Sequence, residues 1–376
     1  MIRVAFLLAI ALVACRRHPS DMPSEGSAAS PVTLRYAEGF TVHYEGNRKI
    51  VEVKHPFQGS STGLRYVLVQ RDDTVEATTD DAVRIAVPIK SLVCTSTTHI
   101  PLLDYLGETE KLVGFPSPDY ISSSRMRQHI DQGSVTDLGI DESLNIEKLA
   151  VVDPELVMGY MLSSDYSTFR NIEAMGIPVV INAEYLESHP LGRAEWIKFM
   201  ALFFNREHEA DSLFNLIERS YLAAKAAVEE EPERPTVVSG IVYGDAWFLP
   251  GGNNYGARLL KDAGCDYLWA DNPSTGFLQL SFEAVYAKAH DADLWIGVGD
   301  TPSLNALKIA DNRYARFDAF KSGSVYSYDA RKGAKGGNEY LELGYLRPDI
   351  ILKDLIVIGH PGVLKDHALY FHRRVE

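Results

Sequence analysis

The sequence predicts an α/β protein of two Rossmann-like lobes with parallel sheets, joined by a long helix, with a ligand cleft between them and an N-terminal β element in front. Three observations carry this expectation. From Arg84 onward, short apolar runs of strand length alternate with helical patterns, as in parallel sheets covered by helices. That texture occurs twice, on either side of a long helical stretch at 193–231. Roughly 345 residues follow position 31, more than one core usually serves, so two domains are expected.

The β element occupies 32–80. Thr41-Val42-His43-Tyr44 and Ile50-Val51-Glu52-Val53 alternate around Glu45-Gly46-Asn47, a hairpin signal. Tyr66-Val67-Leu68-Val69 offers a third strand, and 72–81 is a polar link. The first lobe, 81–190, opens on an apolar run at 85–93 interrupted by Pro88 and Lys90-Ser91. A polar loop at 95–99 leads to a short helix at 100–106 closed by Gly107 and a strand at 112–115. Helix 145–152, strand 156–159, helix 165–175 and strand 179–181 follow. The linking helices, 191–232, carry Trp196, Met200, Phe203, Leu213, Phe214, Ile217 and Tyr221 at helical spacing, a packed core face, with a break at Asn205. In the second lobe, 233–376, the pattern is strand 236–242, helix 254–263, helix 282–289, strands 294–298 and 325–328, and helix 348–358.

A weak internal repeat ties the lobes together. Asn145-Ile146-Glu147 precedes Asp153-Pro154-Glu155-Leu156-Val157-Met158-Gly159, and Ser281-Phe282-Glu283 precedes Asp291-Ala292-Asp293-Leu294-Trp295-Ile296-Gly297. Each half has a polar N-cap, a helix with Glu at its second position, an acidic turn and a buried strand. Two similar lobes imply a cleft, and clefts between domains are where small ligands bind.

The N-terminus speaks to the compartment. Arg3 precedes an apolar run at 4–13, too short for a transmembrane helix and of signal-peptide length. It ends in Leu12-Val13-Ala14-Cys15, which matches the bacterial lipobox. The expectation is a signal peptide at 1–14, a lipidated Cys15 and a flexible tether at 15–31, placing the protein on the periplasmic side of a bacterial membrane. Cys94 and Cys265 fall in different lobes and read as small buried hydrophobes. Without CxxC, HExxH or a His-rich tract, no structural metal site is expected. The net charge of −14 argues against nucleic acid as a partner.

Several pieces, in order, resemble the helix-linked periplasmic binding proteins for siderophores, haem and cobalamin. They are Thr97-Thr98-His99, Leu106-Gly107 with Leu112-Val113-Gly114, Val135-Thr136-Asp137-Leu138-Gly139, Asn145-Ile146-Glu147-Lys148-Leu149, Met175-Gly176-Ile177-Pro178-Val179, and Leu259-Leu260 to Gly264. The resemblance implies a monomeric substrate-binding lipoprotein of an ABC importer, carrying a ferric siderophore, haem or cobalamin and using no cofactor of its own. It implies that Glu147 and Glu283 engage permease arginines. A carboxylate in a helix's first turn suits both that role and plain stabilisation of the helix start. The loops matching the family's ligand walls carry Thr98, His99, Tyr120, Leu138 and Tyr160 on the first lobe, and Tyr243, Trp247 and Phe277 on the second. Aromatic walls suit the broad apolar faces of a macrocycle or catecholate complex. Leu138 stands where cobalamin-binding members have tryptophan.

Other features leave two readings each. Pro250-Gly251-Gly252-Asn253-Asn254-Tyr255 is an anion cradle at a helix start or a tight turn. Arg125 and Arg127 face an anionic ligand or solvent. The N-terminal β element and Gly336-Gly337-Asn338-Glu339-Tyr340 go beyond the family's small members. The rival functions are an exported hydrolase, which would need a nucleophile–base–orienter set, and a metal-ion-binding lipoprotein, which would need converging histidines and carboxylates. The anchor is directly testable: Cys15→Ser should release the protein from membranes and abolish the mass added by acyl chains. Identical fractionation of both forms, with no lipid mass on either, would refute it.

Overall fold

A computed structural model describes residues 31–72, 82–141 and 143–376, so the signal segment, Cys15, nearly all of the tether and most of the polar link lie outside the described residues. Among them no helix is long and apolar enough to cross a membrane. The N-terminal hairpin forms as its sequence requires: Phe40–Glu45 pairs antiparallel with Arg48–Val53, turning at Gly46 with φ of 59°. Leu64–Gln70 adds antiparallel to the second strand, and Val83–Val87 adds parallel to the third. The apolar run expected as one strand at 85–93 is therefore two. Pro88 cannot donate to a ladder and breaks it, so Val83–Val87 closes this sheet while Leu92–Cys94 opens the next. The sheet thus extends past the expected boundary at 80.

Two buried carboxylates fasten this element to the linking helices. Glu195, fully buried, accepts the amides of Arg35 (3.0 and 3.1 Å), Tyr36 (2.8 Å) and Ala37 (2.9 Å). Its charge is met by the Lys198 ammonium at 3.1 Å. Glu187 accepts the next two amides, Glu38 at 2.9 Å and Gly39 at 2.8 Å, and the Trp196 indole N–H at 3.0 Å. A Cβ at Gly39 would lie 2.9 Å from the Trp196 ring, so only glycine fits there. Phe40 then packs on Trp196 with ring centroids 4.7 Å apart. On the other side, buried Lys49 donates to the Leu202 carbonyl (3.0 Å) and Asn205 (2.7 Å) and pairs with Glu207.

The first lobe carries a five-stranded parallel sheet in the order Val179–Ile181, Leu156–Gly159, Leu92–Cys94, Leu112–Phe115, Thr136–Asp137. The second has Asp266–Tyr267, Thr236–Ser239, Leu294–Ile296 and Val325–Ser327 in parallel, and Arg373–Arg374 antiparallel at the edge. Between them run Pro190–Glu195, Ile197–Leu202 and the long helix Glu207–Val228. The chain breaks where expected, at Asn205, with φ of 55°. One continuous core runs from the N-terminal sheet through these helices into the second lobe, and a smaller cluster fills the other face of the first sheet. The edge strand is held by Asp354, fully buried in helix Pro348–Gly359, which accepts the amides of Tyr370, Phe371 and His372 at 2.7–2.9 Å.

Removing the Glu195 carboxylate leaves three amides buried without their acceptor and takes from Lys198 one of its two carboxylate partners, the other being Asp211 at 2.8 Å. Glu195→Ala should lose about 3–5 kcal/mol of unfolding free energy, read as a lowered urea midpoint. A midpoint unchanged within error would show that the five-amide clamp does not hold the N-terminal sheet.

Candidate functional site: the interlobe cleft

In open parallel sheets ligands collect outside the carboxyl ends of the strands, where strand order reverses direction. In the first lobe that point lies between Leu92–Cys94 and Leu156–Gly159, with the loops starting at Thr95 and Tyr160 above it. In the second it lies between Thr236–Ser239 and Leu294–Ile296, above which the chain turns at Gly240 and Gly297, with φ of 81° and 88°. The internal repeat thus has a structural meaning: each repeated strand stands beside the first strand of its lobe.

The run expected as one strand at 236–242 is cut at Gly240. A Cβ there would lie 1.8 Å from the Phe248 carbonyl oxygen. Beyond it the chain enters a three-stranded antiparallel sheet, Ile241–Tyr243, Ala246–Pro250 and Phe277–Leu280. Ile241, Phe248 and Gln279 stand opposite one another, and two residues along the same face come Tyr243 with Ala246, and Pro250 with Phe277. That face looks outward: Tyr243 is 80% and Phe277 68% exposed, and Phe248 is half-buried with its ring 6.2 Å from that of Tyr243. The opposite face carries Val242, Trp247 and Leu280 towards the core.

This alternation corrects the expectation for Trp247. Its side chain is fully buried, stacked on Trp295 at 5.3 Å and edge-on to Tyr314 at 5.7 Å, with the indole N–H donated to the Ser239 carbonyl at 2.9 Å. It is core, and Phe248, one residue on, takes the outward position. Leu138 is likewise corrected. It is fully buried in the smaller core cluster, and its Cδ1 lies 3.0 Å from where a Cβ at Gly114 would sit. His99 is also enclosed. Burial pushes its imidazole down to about 3, so it stays neutral, and neither ring nitrogen has a hydrogen-bond partner among the described residues.

The remaining first-lobe residues do gather at the carboxyl ends. Tyr120 is 63% exposed on the loop after Leu112–Phe115. Half-buried Tyr160 donates its hydroxyl to Asp141 at 2.6 Å. Thr98 is half-buried with its hydroxyl committed: it donates to Glu184 and lies 2.8 Å from the Ser96 hydroxyl. Burial pushes the Glu184 carboxyl up to about 7, against the opposing pull of Thr98 and the Arg193 charge. Ile140 and Leu162 are exposed on the segments that follow Thr136–Asp137 and Leu156–Gly159.

Of the open readings, the glycine loop is a packed turn. Cβ atoms at Gly251 and Gly252 would lie 2.4 Å from the Ser274 oxygen and 2.2 Å from the Ala270 oxygen, and the amides of Gly251, Asn253 and Asn254 already donate to carbonyls. Arg127 is tied to Asp131 (3.0 Å) and the Pro118 carbonyl (2.9 Å), and Arg125 donates to the Asp104 carbonyl at 3.0 Å. Glu147 and Glu283 sit in the first turns of Ile146–Val152 and Phe282–Ala289, capped by Asn145 and Ser281 as the repeat implied. Both are exposed, but they differ. Glu147 makes no ion pair among the described residues, whereas Glu283 meets Arg313 at 3.0 Å, itself forked onto Asp311 and lying 4.1 Å over the Phe282 ring.

Because Trp247 is core and Tyr243 is surface, truncation separates them. Trp247→Ala should cost about 3–5 kcal/mol of stability, while Tyr243→Ala should stay within about 0.5 kcal/mol of wild type. Urea unfolding of both variants measures this. Equal, small losses would place Trp247 at the surface after all.

The chain aligns over residues 92–332 with the family model described as periplasmic binding protein. It is 27% identical over 362 residues, 90% of this chain and 84% of the relative, to the uncharacterized lipoprotein MJ0878 of Methanocaldococcus jannaschii. Among solved structures it is similar to a possible iron-binding, periplasmic solute-binding protein from Staphylococcus epidermidis, with TM-score 0.56, 16% identity and 73% of this chain matched to 99% of that one. The periplasmic haem-binding protein HutB of Vibrio cholerae has TM-score 0.54 at 17% identity, covering 70% of this chain and 99% of that one. With its two parallel-sheet lobes, its linking helices and a family match across most of both lobes, the chain belongs to the periplasmic binding proteins, a family that binds solutes rather than transforming them.

Proposed function

We propose that this protein captures a metal complex, a ferric siderophore, haem or cobalamin, in the interlobe cleft and delivers it to the permease of an ABC importer, held to the membrane through Cys15. The observation that carries the ligand reading is the outward face of the three-stranded sheet. Ile241, Tyr243, Phe248 and Phe277 form an aromatic and aliphatic wall at the carboxyl end of the second lobe, in a chain of net charge −14. Tyr120 and Tyr160 stand at the corresponding end of the first lobe. Such faces suit a ligand with broad apolar surfaces. The two structural relatives are described as a possible iron-binding and a haem-binding protein. The lipoprotein relative supports the anchor.

Docking is assigned to Glu147 and Glu283, which occupy equivalent places in the two lobes and project from helix starts. An arginine arriving at Glu283 competes with Arg313 for the carboxylate.

Titration of the purified protein with haem, a ferric catecholate and cyanocobalamin, followed by visible absorbance, tests the ligand. One should bind, and Tyr243→Ala or Phe277→Ala should each weaken it by about 1–3 kcal/mol, the scale of burying one large side chain. Charge reversal at Glu147 or Glu283 should weaken the complex with the permease and leave ligand affinity within about twofold, since a rim charge acts on the partner alone. No binding across the panel would overturn the ligand class. Normal uptake by the doubly reversed protein would overturn the docking assignment.

A further inference from the structure

The segment 329–347 of the second lobe does more than connect a strand to a helix. Its hairpin-like first half is closed by Gly333 donating to the Gly337 carbonyl (2.7 Å) and Glu339 to the Arg331 carbonyl (3.1 Å). It is pinned to its own lobe by Tyr340 stacked on Tyr328 at 4.8 Å. Further contacts reach the first lobe. A Cβ at Gly337 would lie 1.8 Å from the Tyr120 carbonyl oxygen, and one at Gly333 would lie 2.6 Å from the Ser122 Cα, so two backbones meet with no room for side chains. Glu342, 2% exposed, accepts the amides of Ser122 (2.6 Å) and Ser123 (2.9 Å) at the start of helix Ser124–Asp131. Arg347, forked onto Asp349, donates to the Tyr105 hydroxyl at 3.0 Å. Arg193 of the linking helices lies 4.4 Å over the Tyr345 ring and 3.9 Å over that of Tyr255.

We propose that 329–347 is a strap that fastens the second lobe to the first across one end of the cleft, beside Tyr120, with Glu342 as a latch that can release without unfolding either lobe. The seam is not sealed. A cavity of about 530 Å³ runs along it, lined by Ser122, Arg127 and Gln128 on one side and Arg331, Lys332 and Gly333 on the other, so water reaches the edge of the latch. The latch is a carboxylate at a helix start, which favours its charge, but it is also buried. Burial, helped by the nearby Asp104 charge, pushes the Glu342 carboxyl up to about 7 against the pull of the two amides. The other charged groups around it are already paired: Arg125 on the Asp104 carbonyl, Arg331 on Glu339, and Arg347 on Asp349.

The sign follows. A latched carboxyl whose pKa is raised binds its proton more tightly than a released one. The strap therefore grips hardest below the ordinary carboxylate range and loosens as pH rises towards about 7. A solute released at the membrane and captured in bulk would experience a cleft end whose closure depends on local acidity.

Hydrogen exchange of the full chain, corrected for intrinsic rates and read by mass spectrometry, tests this. In Glu342→Ala, peptides covering 119–125 and 331–347 should exchange at least tenfold faster than in wild type, with Leu92–Cys94 and Thr236–Ser239 unchanged. Wild-type protection of 119–125 should fall by about tenfold or more between pH 5 and pH 8, within the limit for one linked proton. Glu342→Gln, which keeps an acceptor but cannot titrate, should lose that pH dependence. Protection in Glu342→Ala within twofold of wild type would overturn the latch. Loss of protection in both sheets would show a core contact rather than a releasable one. Wild-type protection that is flat or rises with pH would overturn the proton linkage.

Discussion

The arrangement depends on a line of five consecutive amides, Arg35 to Gly39, received by two carboxylates. A buried charge is tolerated only when its desolvation is offset by hydrogen bonds, a counter-charge or both. Glu195 has three amides and Lys198, and Glu187 has two amides and the Trp196 indole. Each geometry is unforgiving, so the entering chain has one register against the linking helices. Phe40 then lands on Trp196, Lys49 reaches the Leu202 carbonyl, and the first sheet is placed before its own pairing is considered. The N-terminal β element is therefore continuous with the core that runs between the lobes.

Much of this was legible in the sequence, and the parts that were not share a cause. Helix caps are local, so Asn145 and Ser281 announce their helices, and the break at Asn205 shows as an interruption of helical spacing. Strands with polar punctuation, such as Leu156–Gly159 and Val179–Ile181, were equally clear. The failures came where neighbouring residues are all apolar. In Ala246-Trp247-Phe248-Leu249 no polar residue marks the outward face, and a one-residue choice exchanges core for surface. The resemblance points to Trp247, whereas the outward position belongs to Phe248, one residue on. Leu138 failed for a related reason, because its burial depends on the hollow at Gly114, twenty-four positions away. The joins at Pro88 and Gly240 fall inside the single strands expected at 85–93 and 236–242, although each separates two sheets. The helix Ser124–Asp131, with its charged surface, gave little apolar pattern.

The candidate site shows how a shared fold leaves room for individual ligands. The frame at the carboxyl ends comes from strand order and from glycines that let the chain turn. The proposed walls come from residues on the outward face of the three-stranded sheet, outside the two parallel sheets that make the frame. Tyr243 and Phe277 can change without disturbing a core, whereas Trp247 and Leu138 cannot. Ligand preference can therefore drift while the lobes stay fixed. The same separation applies to the exposed carboxylates, Glu147 with no ion pair among the described residues and Glu283 already engaged by Arg313, so the two lobes offer unlike electrostatic faces.

The strand Arg373–Arg374, held down by Asp354, has a consequence for the molecule in a crowded compartment. A parallel sheet ending at Val325–Ser327 would present a row of unsatisfied amides and carbonyls, a template for strand exchange between molecules. Laying two arginines antiparallel along that row occupies the Tyr326 and Ser327 positions, with Arg373 paired to Asp329 at 2.8 Å and Arg374 exposed at the rim. Because Asp354 collects three amides and is flanked by His367 at 2.7 Å and His372 at 3.1 Å, the cover is anchored from the helix behind it. A lesion in that small network would show first as self-association, with solute recognition still intact in the molecules that remain dispersed.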